Sequence, residues 1–109
     1  MTVKALAELE IFDSVVLPEP DREIMGVYIG DLLSWVMGRA NSGDAWITIM
    51  SNLNIIAVAS LADVSCIILA EGVTLDETVI KTASQKGVNV FSSEKNAYEL
   101  ATALAQLQI

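Results

Sequence analysis

From Ala45 to the C-terminus the chain alternates strand-type and helix-type segments, and this rhythm constrains the fold more than any other feature. Ala45–Met50 (Ala-Trp-Ile-Thr-Ile-Met) reads as a strand. Val64–Leu69 is a short unbroken apolar run, the pattern of a central parallel strand covered on both faces. Val88–Phe91 is the third strand-type run. Between the first two lies Asn52–Leu61, so apolar that periodicity alone does not separate a buried helix from a buried strand. Its length and its alanines favour a helix that starts after Ser51 or Asn52 and ends near Asp63. Thr74-Leu-Asp-Glu77 has the spacing of a capping box and predicts a helix with Leu75, Val79 and Ala83 on one stripe, stopping at Gly87. Ser93 is placed to cap a last helix whose apolar stripe is Ala97, Leu100, Ala101, Leu104 and Leu107. Strand–helix–strand repetition predicts a parallel sheet with right-handed crossovers and helices on its faces. The expected fold is therefore α/β, a three-layer α/β/α arrangement with a mainly parallel central sheet.

The first 44 residues fit around that frame. Val3–Leu9 reads as a short helix, and Ile11–Leu17 as a strand-type run broken by Asp13-Ser14 and ended by the turn Pro18-Glu-Pro-Asp21. Ile24–Ile29 is the next strand-type run. Asp31 is a natural N-cap for a short helix over Leu32–Met37, with Gly38 as its stop. These early strands extend the sheet, with an antiparallel one allowed at an edge. No linker or repeat divides the chain, so residues 1–109 are expected to form one domain.

Composition narrows the function. With 53% hydrophobic and only 18% charged residues, the chain is richer in apolar side chains than a typical soluble domain. Part of that surplus is expected to serve a homo-oligomer interface, a dimer in the simplest case. The net charge is −8, and the six bases (Lys4, Arg22, Arg39, Lys81, Lys86, Lys95) are scattered. No basic stripe tracks a nucleic-acid backbone, so nucleic acid is not an expected partner. No apolar run reaches membrane-spanning length, and Met1-Thr-Val-Lys4 does not open a signal peptide, so a cytoplasmic location without membrane contact is expected.

Catalytic signatures are missing from the sequence. There is no histidine, which removes the commonest general base and the usual zinc ligands. G-x-G-x-x-G, a phosphate loop ending in Gly-Lys-Ser/Thr and a G-x-S-x-G elbow are all absent. Cys66, the one cysteine, sits in an apolar strand, which shields a thiol and raises its pKa. Asp21, Glu23 and Asp31 lack a diagnostic ligand spacing and read as solvated acids rather than a metal site. Trp35, with Leu32 and Val36 on the short helix, and Trp46 read as core or dimer-contact anchors. No enzyme activity, cofactor or metal is expected.

In open α/β sheets ligands gather outside the carboxyl ends of the strands. Three such ends are present here: Ser51-Asn52-Leu53-Asn54, Ala70-Glu71-Gly72 and Ser92-Ser93-Glu94. Each precedes a helix N-terminus, where backbone N–H groups favour an anion. The candidate ligand contacts are therefore Ser51, Asn52, Asn54, Glu71, Gly72, Ser92 and Ser93, although the same residue types also serve as ordinary helix caps.

The run Asp21-Arg-Glu-Ile-Met-Gly-Val-Tyr-Ile-Gly-Asp-Leu-Leu-Ser-Trp-Val-Met-Gly38, with Gly43-Asp-Ala-Trp-Ile-Thr-Ile49 and Gly87-Val-Asn-Val-Phe-Ser-Ser93, resembles the DRTGG-domain family. That family is similar to the N-terminal domain of HPr kinase/phosphorylase. The resemblance implies an α/β/α regulatory module of bacterial metabolism without the kinase chemistry, which belongs to a separate phosphate-loop domain. A small anionic metabolite or a nucleotide is the ligand expected at the strand ends. The naming motif has drifted: Ser51-Asn52-Leu53 stands where Asp-Arg-Thr is expected, and Glu71-Gly72 where paired glycines are expected. The missing arginine removes a bidentate anion donor, and Glu71 adds repulsion toward phosphate. A protein-interaction subunit, acting as a homodimer or docked on a partner enzyme, is the alternative reading.

Overall fold

A computed structural model describes all residues, Met1–Ile109. The elements run α1 (Val3–Leu6), β1 (Asp13–Val16), β2 (Gly26–Ile29), α2 (Leu33–Arg39), β3 (Asp44–Thr48), α3 (Asn54–Ala62), β4 (Cys66–Leu69), α4 (Glu77–Lys86), β5 (Val90–Ser92) and α5 (Ala97–Gln106). The five strands form one sheet in the order β1-β5-β4-β3-β2. β2, β3, β4 and β5 are parallel in register, and β1 pairs antiparallel with β5 at the edge. The apolar segment at 52–61 resolves as α3, because only a crossover can link the parallel neighbours β3 and β4. No helix is long and apolar enough to cross a membrane.

Strand alternation divides the core into two layers. On one face Trp46, Ile67, Leu69 and Val90 meet α2, α3 and α4 through Val36, Ile55, Ile56, Ala59, Val79 and Ala83. On the other, Ala45, Ile47, Cys66, Ile68 and Phe91 meet α1 and α5 through Val3, Leu6, Leu100 and Leu104. Phe12 and Phe91 make an edge-on aromatic pair with ring centroids 6.0 Å apart. β3 and β4 are buried along their whole length, as strands covered on both faces must be.

Several helix ends differ from the sequence expectation. Leu32, not Asp31, is the N-cap of α2, and the helix runs through Gly38 to end at Ala40. The Asp31 carboxylate is occupied elsewhere, at the end of β3. The capping box expected at Thr74 and Glu77 does not form; α4 begins after Asp76. Val73 and Leu75 both pack on the core, and that keeps residues 73–75 out of the helix. Ser93 does not cap α5 either. The real box is Asn96 and Glu99, each side chain accepting the other's backbone N–H at 2.9 and 3.2 Å.

At the amino end of the sheet, Asp63 occupies the left-handed position that closes α3, with φ 58°. Ser42 Oγ donates to its carboxylate, and Arg22 donates to Oδ1 and to the backbone carbonyl at 3.0 Å each. The Ser42 hydroxyl first, then the Arg22 guanidinium, hold the Asp63 carboxyl below its ordinary range. Asn89, buried beneath β1, accepts from Glu19 N at 2.9 Å and donates to Glu19 O and Ser65 O at 2.8 and 2.9 Å. These clips fasten the loops at the end of the sheet away from the candidate site.

Candidate functional site

The carboxyl edge of the parallel strands is built by the loops that follow β2, β3, β4 and β5. Strands β2 to β5 advance across the sheet in sequence order, so α2, α3 and α4 all lie on one face. The chain leaves β5 for the opposite face, where α5 packs across β2 and β3. The crevice between β4 and β5 is thus the one place where adjacent strands send their chains to opposite sides, the geometry that opens ligand sites in α/β sheets.

In this chain that crevice is laced together. Glu71 N donates to Lys95 O and Gly72 N to Ser93 O, both at 2.8 Å, while Ser93 N donates to Leu69 O at 2.9 Å. Ser93 Oγ, buried, accepts from Lys95 N at 3.2 Å. Glu94 closes over the loop: a Cβ at Gly72 would lie 2.7 Å from its Oε2. The backbone N–H groups expected to face an anion at 71, 72 and 93 are therefore already bonded within the chain. Glu71 and Gly72 both take positive φ, 58° and 73°. Glycine adopts this backbone freely and glutamate does not. Glu71→Gly should therefore raise stability by about 1 kcal/mol, read as a shift in the urea midpoint with no change in slope. A lower midpoint would show that the Glu71 side chain contributes more than its backbone costs.

One strand over, the β3 end is held by its own contacts. Asn52 Oδ1 accepts from Asn54 N at 2.9 Å in a turn that leads into α3, but the N-cap is Leu53 and no side chain caps the helix, so the capping role allowed by the sequence is not filled. Ser51, Asn52, Leu53 and Asn54 are all exposed. Asn54 also lines a groove of about 360 Å³ between α3 and α4, with Leu53, Ile56, Ser60, Thr82 and Lys86 on its walls. Ser93 lines a separate depression of about 270 Å³ toward β1, with Asp13, Glu94 and Lys95. The structure brings 71–72 and 93–95 into hydrogen-bond contact and places 51–54 beside them, but no single cavity gathers all seven candidates. Ser92 is half-buried at the end of β5.

Two residues of this edge escaped the sequence reading. Asp31 Oδ1 accepts from Thr48 Oγ1 at 2.8 Å and Ile49 N at 3.0 Å, tying the end of β2 to the end of β3. Thr48 Oγ1, itself buried, accepts from Met50 N at 3.2 Å. Glu23 pairs with the N-terminal ammonium at 3.1 Å, so Asp21, Glu23 and Asp31 do not converge on one point. Lys95 is the other omission: it is the one base in the 93–95 turn, beside Glu94 in sequence and joined through its carbonyl to Glu71 N. The signal for Asp31 was its position just after a strand, where an acid can hold the neighbouring strand's exit as readily as it caps a helix.

Helices on both faces of a mainly parallel sheet, with loops gathered at one carboxyl edge, define a three-layer α/β/α domain. Residues 16–107 match the family model described as the DRTGG domain. The chain belongs to the DRTGG domain family. No curated protein matches it. Among solved structures it is similar to the CBS and DRTGG domains of the regulatory region of Clostridium perfringens pyrophosphatase, complexed with the activator diadenosine tetraphosphate. The TM-score is 0.65 at 18% identity, over 85% of this chain and 40% of that one. The chain thus spans well under half the length of that regulatory region, and the likeness is one of fold.

Proposed function

We propose that this chain is a non-catalytic regulatory domain, residues 1–109 acting as one unit in the cytoplasm, which senses a small anionic metabolite or a nucleotide at its carboxyl edge. Membership of a family that serves in a regulatory region carries the reading. The crevice between β4 and β5, at the point where the chain changes faces, supports its location. Because the backbone donors at 71, 72 and 93 are taken, the ligand is held by side chains: the Ser51 hydroxyl, the Asn52 and Asn54 amides, the Ser92 hydroxyl and the Lys95 ammonium. Glu71 and Glu94 set the selectivity, since a densely charged polyphosphate meets two carboxylates and one base. A singly charged ligand with an apolar body suits this edge better.

A thermal-shift screen against nucleotides, phosphorylated metabolites and organic acids tests the reading. A ligand at 100 times its dissociation constant stabilises by about 2.7 kcal/mol, which in a domain this small raises the melting temperature by roughly 10 °C or more. Lys95→Ala and Asn52→Ala should weaken the hit, and Glu71→Gln should strengthen it for an anion. Unchanged affinity in Lys95→Ala and Asn52→Ala would remove the site. A flat screen would favour the second reading, an interaction subunit, for which the apolar residues exposed on and around α2 are the specific observation.

A further inference from the structure

α3 is apolar on the side it turns to solvent as well as on the side it buries. No residue from Leu53 to Ala62 is charged. Ile55, Ile56, Val58 and Ala59 face the core, yet Leu53 is 48% exposed and Leu61 73% exposed. A surface helix normally turns a charged face outward, and one without such a face has a second apolar side left to cover. That side borders the groove of about 360 Å³ between α3 and α4. Leu53, Ala57 and Leu61, spaced four apart, make one ridge along it, and buried Ile56 lies beneath.

The groove has a direction and a charged end. α3 and α4 each connect parallel neighbours, so both run from the carboxyl edge of the sheet back to its amino end. Leu53 and Asn54 therefore stand at the carboxyl-edge mouth, and Leu61 and Lys86 at the far end. Leu53 and Leu61 are eight positions apart, which is about 12 Å along a helix axis. Lys86 is the one charged residue lining the groove, and it makes no ion pair within the chain. The surrounding layer is also biased: α2, α3 and α4 carry three bases and one acid, in a chain with 14 acids and six bases.

We propose that the α3–α4 groove binds a linear amphiphile with a single negative head, an aliphatic carboxylate of medium length. Its chain lies along Leu53, Ala57 and Leu61 over Ile56, and its carboxylate pairs with Lys86. Size selects a small molecule as the occupant. A stable protein interface takes about 20–30 residues a side, whereas eight residues line this groove. Its volume falls within the range of about 300–1,000 Å³ found for small-molecule sites. Charge selects the head group, because the only ionic partner on offer is one unpaired ammonium. This inference does not rest on the carboxyl-edge site: the base here is Lys86 rather than Lys95, and only Asn54, at the mouth, is common to both.

Amide-shift titration of the full-length, nitrogen-15-labelled chain at neutral pH, with decanoate and separately with decylammonium, tests it. Decanoate should bind with a dissociation constant below about 1 mM and move the amides of residues 53–61 and 82–86. Decylammonium should bind several-fold more weakly, although a net charge of −8 favours a cation elsewhere on the surface. Lys86→Gln should abolish the preference for the anion. Leu61→Gln should weaken both ligands without lowering the melting temperature, since Leu61 is largely exposed and glutamine is as good a helix former. Lys95→Ala should leave decanoate affinity unchanged, which separates this groove from the carboxyl edge. A dissociation constant above about 1 mM, shifts that map to another surface, or a preference for the anion that survives Lys86→Gln would overturn the inference.

Discussion

Trp46→Ala should remove about 3–5 kcal/mol of the domain's stability. Trp46 stands in the middle of β3 with none of its side chain exposed, between Tyr28 of β2 and Ile67 of β4 in register. Removing a buried tryptophan costs about 3–5 kcal/mol in lost burial and residual cavity. A domain of this size has only about 5–15 kcal/mol in total. The ring also reaches across the sheet: its Nε1 donates to Gly30 O at 2.9 Å, at the exit from β2. Trp46→Phe separates the two contributions, because it keeps most of the apolar bulk and leaves that carbonyl unpaired, at about 1–3 kcal/mol. Urea unfolding followed by far-UV circular dichroism reads both variants. A Trp46→Ala protein that unfolds within about 1 kcal/mol of the wild type would show that the two core layers close over the gap.

The Trp46 indole also links the core to the candidate site. Gly30, which accepts its hydrogen bond, directly precedes Asp31, and Asp31 fixes the β3 exit through Thr48 and Ile49. The wall of the candidate site next to residues 51–54 is therefore set by a core side chain. In the Trp46→Phe protein the Gly30–Asp31 turn loses one of its anchors, so ligand affinity at this edge should drop even where the domain stays folded.

What could be read from the sequence follows from the range of the forces involved. β4 was legible because two-sided burial leaves its mark on every residue of Cys66–Leu69, whereas α3, buried along one side only, was legible from its length and its alanines. The antiparallel edge was legible only as an allowance, since nothing local in Asp13–Val16 says that its partner is β5. Helix caps were the weak point, because a cap is decided by one or two residues and a distant contact can override it. Thr74 and Glu77 have the right spacing, yet packing of Val73 and Leu75 on the core holds the chain extended there. Asn96-Ala-Tyr-Glu99 had the same spacing, three residues before Glu99, and nothing overrides it. The three strand ends were correctly placed at one edge by topology. Whether their N–H groups faced outward was not readable, because the acceptors that consume them, the carbonyls of Ser93 and Lys95, are more than 20 residues away along the chain.

The thiol of Cys66 should make the domain progressively less stable in alkali. Cys66 is wholly buried between Ala45 and the residues of β4 and the α1–α5 layer, and loss of water around it pushes its pKa from 9.0 up to about 12, with Arg22 at a distance opposing weakly. The sign follows from which state can ionise. Below pH 9 the thiol is neutral in both folded and unfolded chains and contributes no slope. Above pH 9 the unfolded chain loses its proton while the folded chain keeps it, so each further pH unit favours unfolding by about 1.4 kcal/mol until the folded thiol also ionises. The cumulative loss by pH 12 is about 4 kcal/mol. Every other ionisable group is common to wild type and to Cys66→Val, a substitution close in volume. The difference in unfolding free energy between the two should therefore move toward the variant by about 2 kcal/mol between pH 8 and pH 10.5. Parallel curves would mean that water reaches the sulfur. The same burial predicts that a thiol reagent leaves the native protein unlabelled at pH 8 and labels it stoichiometrically in urea. Rapid labelling of the native chain would instead identify an opening of the α1–α5 layer.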